Sequence, residues 1–126
     1  LPVYQDYVVR AKVTGGISFV PPIKLRIMEY YLANATLPSE YGQLGLNVTD
    51  FTQSDMVLED LDLVTEPRNG TIELTFDAAA IPNLGVENTI LYVPTPHSGT
   101  LIWDCTGGTM VNRYRPSQCR GAGDDG

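Results

Sequence analysis

The sequence predicts an α+β fold, in which a long N-terminal helix, kinked near its middle, packs on a four-stranded antiparallel sheet. A disulfide-closed loop is expected after the last strand. Three observations favour this fold: apolar residues recur at helical spacing in the first third of the chain, they alternate in the middle, and two cysteines stand near the end. The 126 residues suffice for one domain. We divide it into a helix (1–34), a connecting loop (35–55), a sheet (56–104), a disulfide loop (105–120) and a tail (121–126).

The first 34 residues are expected to form two helical pieces. Gly15-Gly16 weakens a helix, and Pro21-Pro22 removes two backbone donors and clashes with the preceding turn. We therefore expect helices at about 2–14 and 21–34, joined by a kink or a non-helical turn. The apolar stripe of this rod comprises Val13, Ile17, Val20, Ile27 and Tyr31.

Four strands are expected after a polar loop, and their predicted ranges are 56–65, 71–76, 89–93 and 100–104. The second strand alternates cleanly, with Ile72, Leu74 and Phe76 on one face. Between the first two strands, Asn69-Gly70 can supply the positive backbone angles of a hairpin turn. Another turn is expected at 94–99, where prolines, a serine and a glycine cluster.

Charge is distributed unevenly along the chain. The net charge is −7, from 15 acidic and 8 basic residues, and Arg68 is the only basic residue between positions 35 and 104. An acidic middle therefore lies between two mildly basic ends. In an assembly of copies, oppositely charged faces could attract neighbouring subunits. No run approaches the roughly 20 apolar residues of a membrane span, so we expect the chain as given to be soluble.

Cys105 and Cys119 are interpreted as a disulfide. A zinc site would need further Cys or His ligands, and His97 is the only histidine. Closing so short a loop would stabilise the fold by about 3 kcal/mol in the chain-entropy model. A disulfide also indicates an oxidising compartment, the periplasm or the cell exterior.

No catalytic, cofactor or metal site is predicted. Glu59, Asp60 and Asp62 could be taken as calcium ligands or catalytic carboxylates, but leucines are interspersed among them, which favours a solvated strand face. His97 lies in a Pro-flanked turn and is interpreted as a surface histidine. Because the sequence also has no Gly-rich phosphate loop and no nucleophile elbow, we do not expect an enzyme.

Three stretches of the chain resemble the type IVa major pilins of bacterial cell surfaces. They are LPVYQDYVVRA at 1–11, LIWDC at 101–105 and YRPSQCR at 114–120. The first is similar to the junction between the buried and amphipathic halves of the family's N-terminal helix. The second resembles the family's last strand running into its first cysteine, and the third its closing segment, with Pro116 three residues before the second cysteine. The resemblance spans nearly the whole chain and implies the pilin fold.

The resemblance implies a structural subunit of an extracellular type IV pilus, a fibre used for adhesion, twitching motility or biofilm formation. Ahead of this opening, relatives carry an apolar helical half with an N-methylated first residue, which anchors the subunit in the inner membrane before assembly. We expect the present chain to be a shortened form that lacks this half. The implied partners are other pilin subunits, the pilus assembly machinery, and host or abiotic surfaces.

Contacts between subunits are assigned to one face of the N-terminal helix, comprising Tyr4, Tyr7, Ala11, Ile17, Val20, Ile27 and Tyr31. An aromatic series at positions 4, 7, 30 and 31 runs along this helix. Stacked aromatic residues have been proposed to conduct charge in some pili, but aromatic residues that face a sheet ordinarily belong to the core. We therefore expect these tyrosines in the core.

The alternative function is DNA capture by a minor or competence pilin. Arg113, Arg115 and Arg120 lie in the disulfide loop, and in some relatives a basic patch near this loop binds the duplex backbone. Three arginines on an acidic chain are weak support, so subunit contact or solubility is the preferred role. A pseudopilin of a secretion system is disfavoured, because such relatives commonly lack the terminal disulfide loop.

Overall fold

The computed structural model describes residues 3–46 and 57–121. Two helices come first, followed by a four-stranded antiparallel sheet in the order β1-β2-β3-β4. Parts of the expected connecting loop, the first two residues and most of the expected tail lie outside the described residues. The α+β fold is confirmed. The elements are α1 (Val3–Ile17), α2 (Val20–Asn34), a 3-10 turn (Tyr41–Leu44), β1 (Leu58–Val64), β2 (Thr71–Phe76), β3 (Thr89–His97), β4 (Thr100–Gly107) and two further 3-10 turns (Asn112–Tyr114 and Ser117–Cys119).

The helical rod breaks at Ser18 and Phe19, between the two glycines and the two prolines. The N–H groups of these two residues bond to the carbonyls of Gly15 and Gly16, which closes α1 with a turn. Pro21 lies in the first turn of α2, where a missing N–H removes no helical bond. The α1 helix runs three residues beyond its expected end, because both glycines remain helical.

Gly16 brings the end of α1 into close contact with the sheet. A β-carbon at this position would lie 2.7 Å from Cε2 of Phe76 and 3.3 Å from Cδ2 of Leu58. A β-carbon on Gly15 would meet nothing within 4 Å. The two adjacent glycines therefore have different roles, and only Gly16 is required by packing.

Replacing Gly16 with alanine is expected to destabilise the fold by about 1–3 kcal/mol, because the buried Phe76 ring must move to admit the methyl group. Gly15→Ala is the matched control. It should stabilise by about 0.5–1 kcal/mol, since alanine favours helix and the site is open. Chemical unfolding of both variants measures the difference, and equal effects of the two substitutions would refute the close contact.

The helices and the sheet enclose one core. Ile72, Leu74 and Phe76 are buried on the sheet face that the helices cover, which confirms the alternation predicted for β2. The helices contribute Val9, Val13, Val20, Ile23 and Ile27 to the same core. In the turn before β2, Gly70 has a φ of 82° whereas Asn69 keeps a negative φ, so only the glycine uses the left-handed region.

The prediction that residues 94–99 form a turn is wrong. β3 continues through Pro94 and Pro96 to His97, and the hairpin turn consists of Ser98 and Gly99 alone, with φ values of 50° and 81°. The pairing with β2 ends at Tyr92, so among the described strands the later part of β3 is paired only with β4. Prolines are tolerated there, because the open side of the strand has no ladder bond to lose.

Candidate functional site

The C-terminal loop is closed by the Cys105–Cys119 disulfide, which confirms the predicted pairing. The S–S distance is 2.07 Å, and the two Cα atoms lie 4.8 Å apart. Cys105 belongs to β4 and Cys119 to the last 3-10 turn, so the bond fixes the end of the chain to the edge strand of the sheet.

Arg115 fills the interior of this loop. Its side chain is only 2% exposed, although arginine is rarely buried. Nε donates to the carbonyl of Met110 at 2.9 Å, and Nη1 donates to the carbonyls of Cys105 and Cys119 at 3.0 and 3.4 Å. Within the described residues no carboxylate forms an ion pair with Arg115. One guanidinium therefore joins both ends of the disulfide loop through carbonyl oxygens.

Tyr92 lies beside the same disulfide and is also buried. Its hydroxyl is 3.6 Å from Sγ of Cys119. Burial raises the pKa of Tyr92 to about 12, while the positive charge of Arg115 acts in the opposite direction. Burial lowers the pKa of Arg115, and the interaction with Tyr92 opposes that change. Because arginine stays protonated in proteins, the loop interior carries one positive charge beside a neutral phenol.

The loop is also attached to α1. Nε of Arg10 donates to the carbonyl of Arg113 at 3.0 Å, and Nε of Arg113 lies 3.9 Å from Oδ1 of Asp6. The Arg113 guanidinium also lies 4.9 Å from the centre of the Tyr114 ring. Helix α1 and the disulfide loop are thus in direct contact.

These contacts correct the predicted basic patch. Arg115 points into the protein and cannot contact a partner, whereas Arg113 is held against Asp6 and Tyr114. Arg120 is exposed, and its Nε donates to the carbonyl of Arg115 at 3.0 Å. The three arginines therefore do not share a surface. Carbonyl oxygens from three separated positions hold Arg115 inside, and no local sequence pattern indicates that.

The outer face of α1 is apolar and exposed. Tyr4 and Tyr7 are 72% and 64% exposed, and Ala11 is exposed on the same side. The expectation that these two tyrosines belong to the core is wrong, because Val9 and Val13 form the face that packs on the sheet. We call Tyr4, Tyr7 and Ala11 the α1 outer stripe.

The other residues assigned to subunit contact lie in different environments. Val20 and Ile27 are 1% and 0% exposed, so they serve the core and cannot reach a neighbouring molecule. Ile17 and Tyr31 are half-buried, as is Tyr30, whose hydroxyl accepts a bond from Nε2 of Gln43 at 3.2 Å. Of the residues assigned to subunit contact, those of the α1 outer stripe are the exposed ones.

Comparison with known proteins decides the family. A family model described as "Pilin (bacterial filament)" matches residues 9–120. The chain is therefore a pilin. It is 25% identical over 122 residues to the "Fimbrial protein EcpC" of Eikenella corrodens, a match that covers 97% of this chain and 77% of that one. Two proteins named "Fimbrial protein" from Pseudomonas aeruginosa are each 24% identical over 127 residues, covering 94% of this pilin and 81% of theirs.

The family assigns the type IV pilin a structural role. It is a subunit of a bacterial filament and polymerises with other pilin subunits. Within the described residues, no helix is both long and apolar enough to cross a bilayer.

Three acidic residues of the pilin lie on β1, an outer strand of its sheet. Glu59, Asp60 and Asp62 are exposed on β1, as predicted for a solvated strand face. The carboxylates of Asp60 and Asp62 accept bonds from the backbone N–H groups of the residues that follow them. Across residues 3–46 and 57–121, no group of three or more His, Cys, Asp or Glu side chains is placed to hold a metal ion.

A cleft of about 470 Å³ lies between the α1–α2 junction and the β4 edge of the pilin. Lys24 projects into it, with Nζ 4.9 Å from the centre of the Tyr92 ring and 5.5 Å from that of Trp103. Burial lowers the pKa of Lys24. Ile17 and Gln118 complete two of its walls. No local sequence pattern indicates this cleft, because its residues come from four distant segments.

Proposed function

We propose that this pilin builds an extracellular type IV pilus that serves surface attachment, twitching motility or biofilm formation, and that its subunits meet through the α1 outer stripe. The single observation that carries the subunit contact is the exposure of Tyr4 and Tyr7 on a helix whose opposite face is buried. Aromatic rings exposed side by side favour contact with another protein surface.

The shape of the stripe suits a second helix. Tyr7, Arg10, Ala11 and Thr14 line a shallow groove of about 280 Å³, and a second groove of about 240 Å³ lies between Tyr4 and Pro82. Protruding rings beside shallow grooves permit the ridges-into-grooves packing by which helices associate. Because the side chain of Ala11 is small, the backbone of a neighbouring helix can approach α1 closely at this position.

The experiment is complementation of a pilin-deficient cell with the full-length gene carrying Tyr4→Glu and Tyr7→Glu. We expect fibres recovered by shearing to fall about tenfold or more, because burying two carboxylates at a contact costs several kcal/mol. The matched control is Leu32→Glu, which alters a residue 65% exposed on α2. Normal fibre yield from the double variant, with the purified chain still folded, would overturn the proposed contact.

The biological role is tested with the same strains. If the fibre serves movement, loss of fibres abolishes spreading on soft surfaces; if it serves adhesion or biofilm, static attachment falls while spreading is unaffected. Cells that assemble fibres from the native gene but keep both behaviours after its deletion would refute all three roles.

A further inference from the structure

We propose that the cleft around Lys24 is a docking site for the acidic β1 edge of a second copy of this chain. This inference rests on the proposed function, since it concerns how assembled subunits touch. It adds a contact between globular domains to the one assigned to α1.

The cleft offers side-chain hydrogen-bond donors that are not used by any other described residue. Within the described residues, the Lys24 ammonium makes no ion pair and no hydrogen bond; its contacts are the faces of Tyr92 and Trp103. A ring face attracts the cation but leaves its three N–H donors without an acceptor. The side-chain amide of Gln118 also lines the cleft and is exposed. A carboxylate can accept hydrogen bonds from both the Lys24 ammonium and the Gln118 amide.

The β1 edge supplies such carboxylates. Glu59, Asp60 and Asp62 are exposed on a strand whose second edge pairs with nothing in the described sheet. Glu59 makes no ion pair within the described residues, so its charge is available. The same chain therefore carries an acidic edge and a cationic cleft, which are complementary in charge.

The acidic β1 edge and the Lys24 cleft lie at opposite edges of one sheet. β1 and β4 are the outer strands of the order β1-β2-β3-β4, and the cleft adjoins β4. A contact between different patches on two copies is heterologous, and such contacts form rings or open filaments rather than two-fold dimers. An open filament is the form that a pilin builds. This is why a second copy, rather than a separate acidic partner, is the occupant that the arrangement fits.

The test is a charge-exchange experiment with the purified chain. Lys24→Glu and the pair Glu59→Lys/Asp62→Lys should each weaken self-association about tenfold or more at low salt, because like charges then meet at the contact. An equal mixture of the two variants should recover association, since every cleft then faces an edge of opposite charge. Sedimentation velocity over a concentration series measures this. Arg68→Glu is the control, because it makes the same charge change at an exposed residue outside the cleft.

Failure of recovery in the mixture would overturn the contact, as would unchanged association of Lys24→Glu. Saturable binding of polyglutamate to the cleft without self-association would instead identify a separate acidic ligand and refute the second copy. Full-length variants in cells distinguish this inference from the proposed function. If Lys24→Glu yields normal fibres, the cleft contact is wrong and the pilus assignment stands; if the native gene yields none, the pilus assignment itself fails.

Discussion

Gly108→Ala is expected to destabilise the pilin by about 3 kcal/mol or more, which is a large share of the roughly 5–15 kcal/mol that holds a domain folded. Gly108 has a φ of 97°, where a side chain is strained. A β-carbon there would also lie 2.5 Å from the carbonyl oxygen of Thr89 and 2.8 Å from Cα of Ile90. Both neighbours are backbone atoms of β3, so they cannot rotate away.

The structural cause is the crossing of the disulfide loop over the start of β3. Met110 N donates to the carbonyl of Thr89 at 3.0 Å, and Thr109 N donates to its hydroxyl at 2.9 Å. These bonds hold the chain so close to β3 that only a glycine fits at the crossing. A β-carbon would separate the two segments and break both bonds.

Gly85→Ala is the control that separates backbone strain from steric clash. Gly85 has a similar φ of 75°, but a β-carbon there meets nothing within 4 Å. We expect a loss of about 1–2 kcal/mol from strain alone. Urea unfolding of the disulfide-intact chain, followed by Trp103 fluorescence, gives both values. Equal losses at the two glycines would show that the loop can yield and that the crossing does not require a glycine.

Local features of the fold were predictable from the sequence. The break between α1 and α2 follows from two glycines and two prolines within eight residues, and the structure places it at Ser18 and Phe19 between the two pairs. The alternation of Ile72, Leu74 and Phe76 identified the buried face of β2, because period two places every second side chain on one side of a strand. These features depend on residues that are close together in the sequence, so a local pattern is enough to predict them.

Features that depend on distant residues were not predictable. Pro94 and Pro96 indicate a turn when they are considered alone, but the end of the β2 pairing leaves that side of β3 open and lets the strand continue. The exposure of Tyr7 has a similar origin. Val9, Val13 and Gly16 lie on the face of α1 that packs on the sheet, and Tyr7 lies on the exposed face.

The candidate site shows the same division. The pairing of Cys105 with Cys119 followed from composition, since no other residue competes for the two sulfurs. The burial of Arg115 could not be predicted from the sequence, because it requires three carbonyls to converge from separated positions. The Lys24 cleft could not be predicted either, because it forms only when α2 lies against Trp103 on β4.

Arg115→Met is expected to destabilise the pilin by about 2–4 kcal/mol, and two effects oppose each other in that result. Removing a buried cation that has no counterion among the described residues relieves a desolvation cost of several kcal/mol. It also leaves the carbonyls of Cys105, Met110 and Cys119 without their donor, at about 1–3 kcal/mol each. We expect the second effect to dominate, because the disulfide prevents the loop from opening to expose these oxygens to water.

Arg120→Met is the matched control. Its side chain is exposed and donates one bond, to the carbonyl of Arg115, so its loss should stay within about 1 kcal/mol. Reduction by dithiothreitol gives a second readout: the Cys105–Cys119 bond should be reduced faster in Arg115→Met than in the control, because the interior donor no longer holds both cysteine carbonyls. If Arg115→Met were as stable as the native chain and resisted reduction equally, the cost of burying the charge would equal the value of its three bonds. The disulfide alone would then account for the order of the loop.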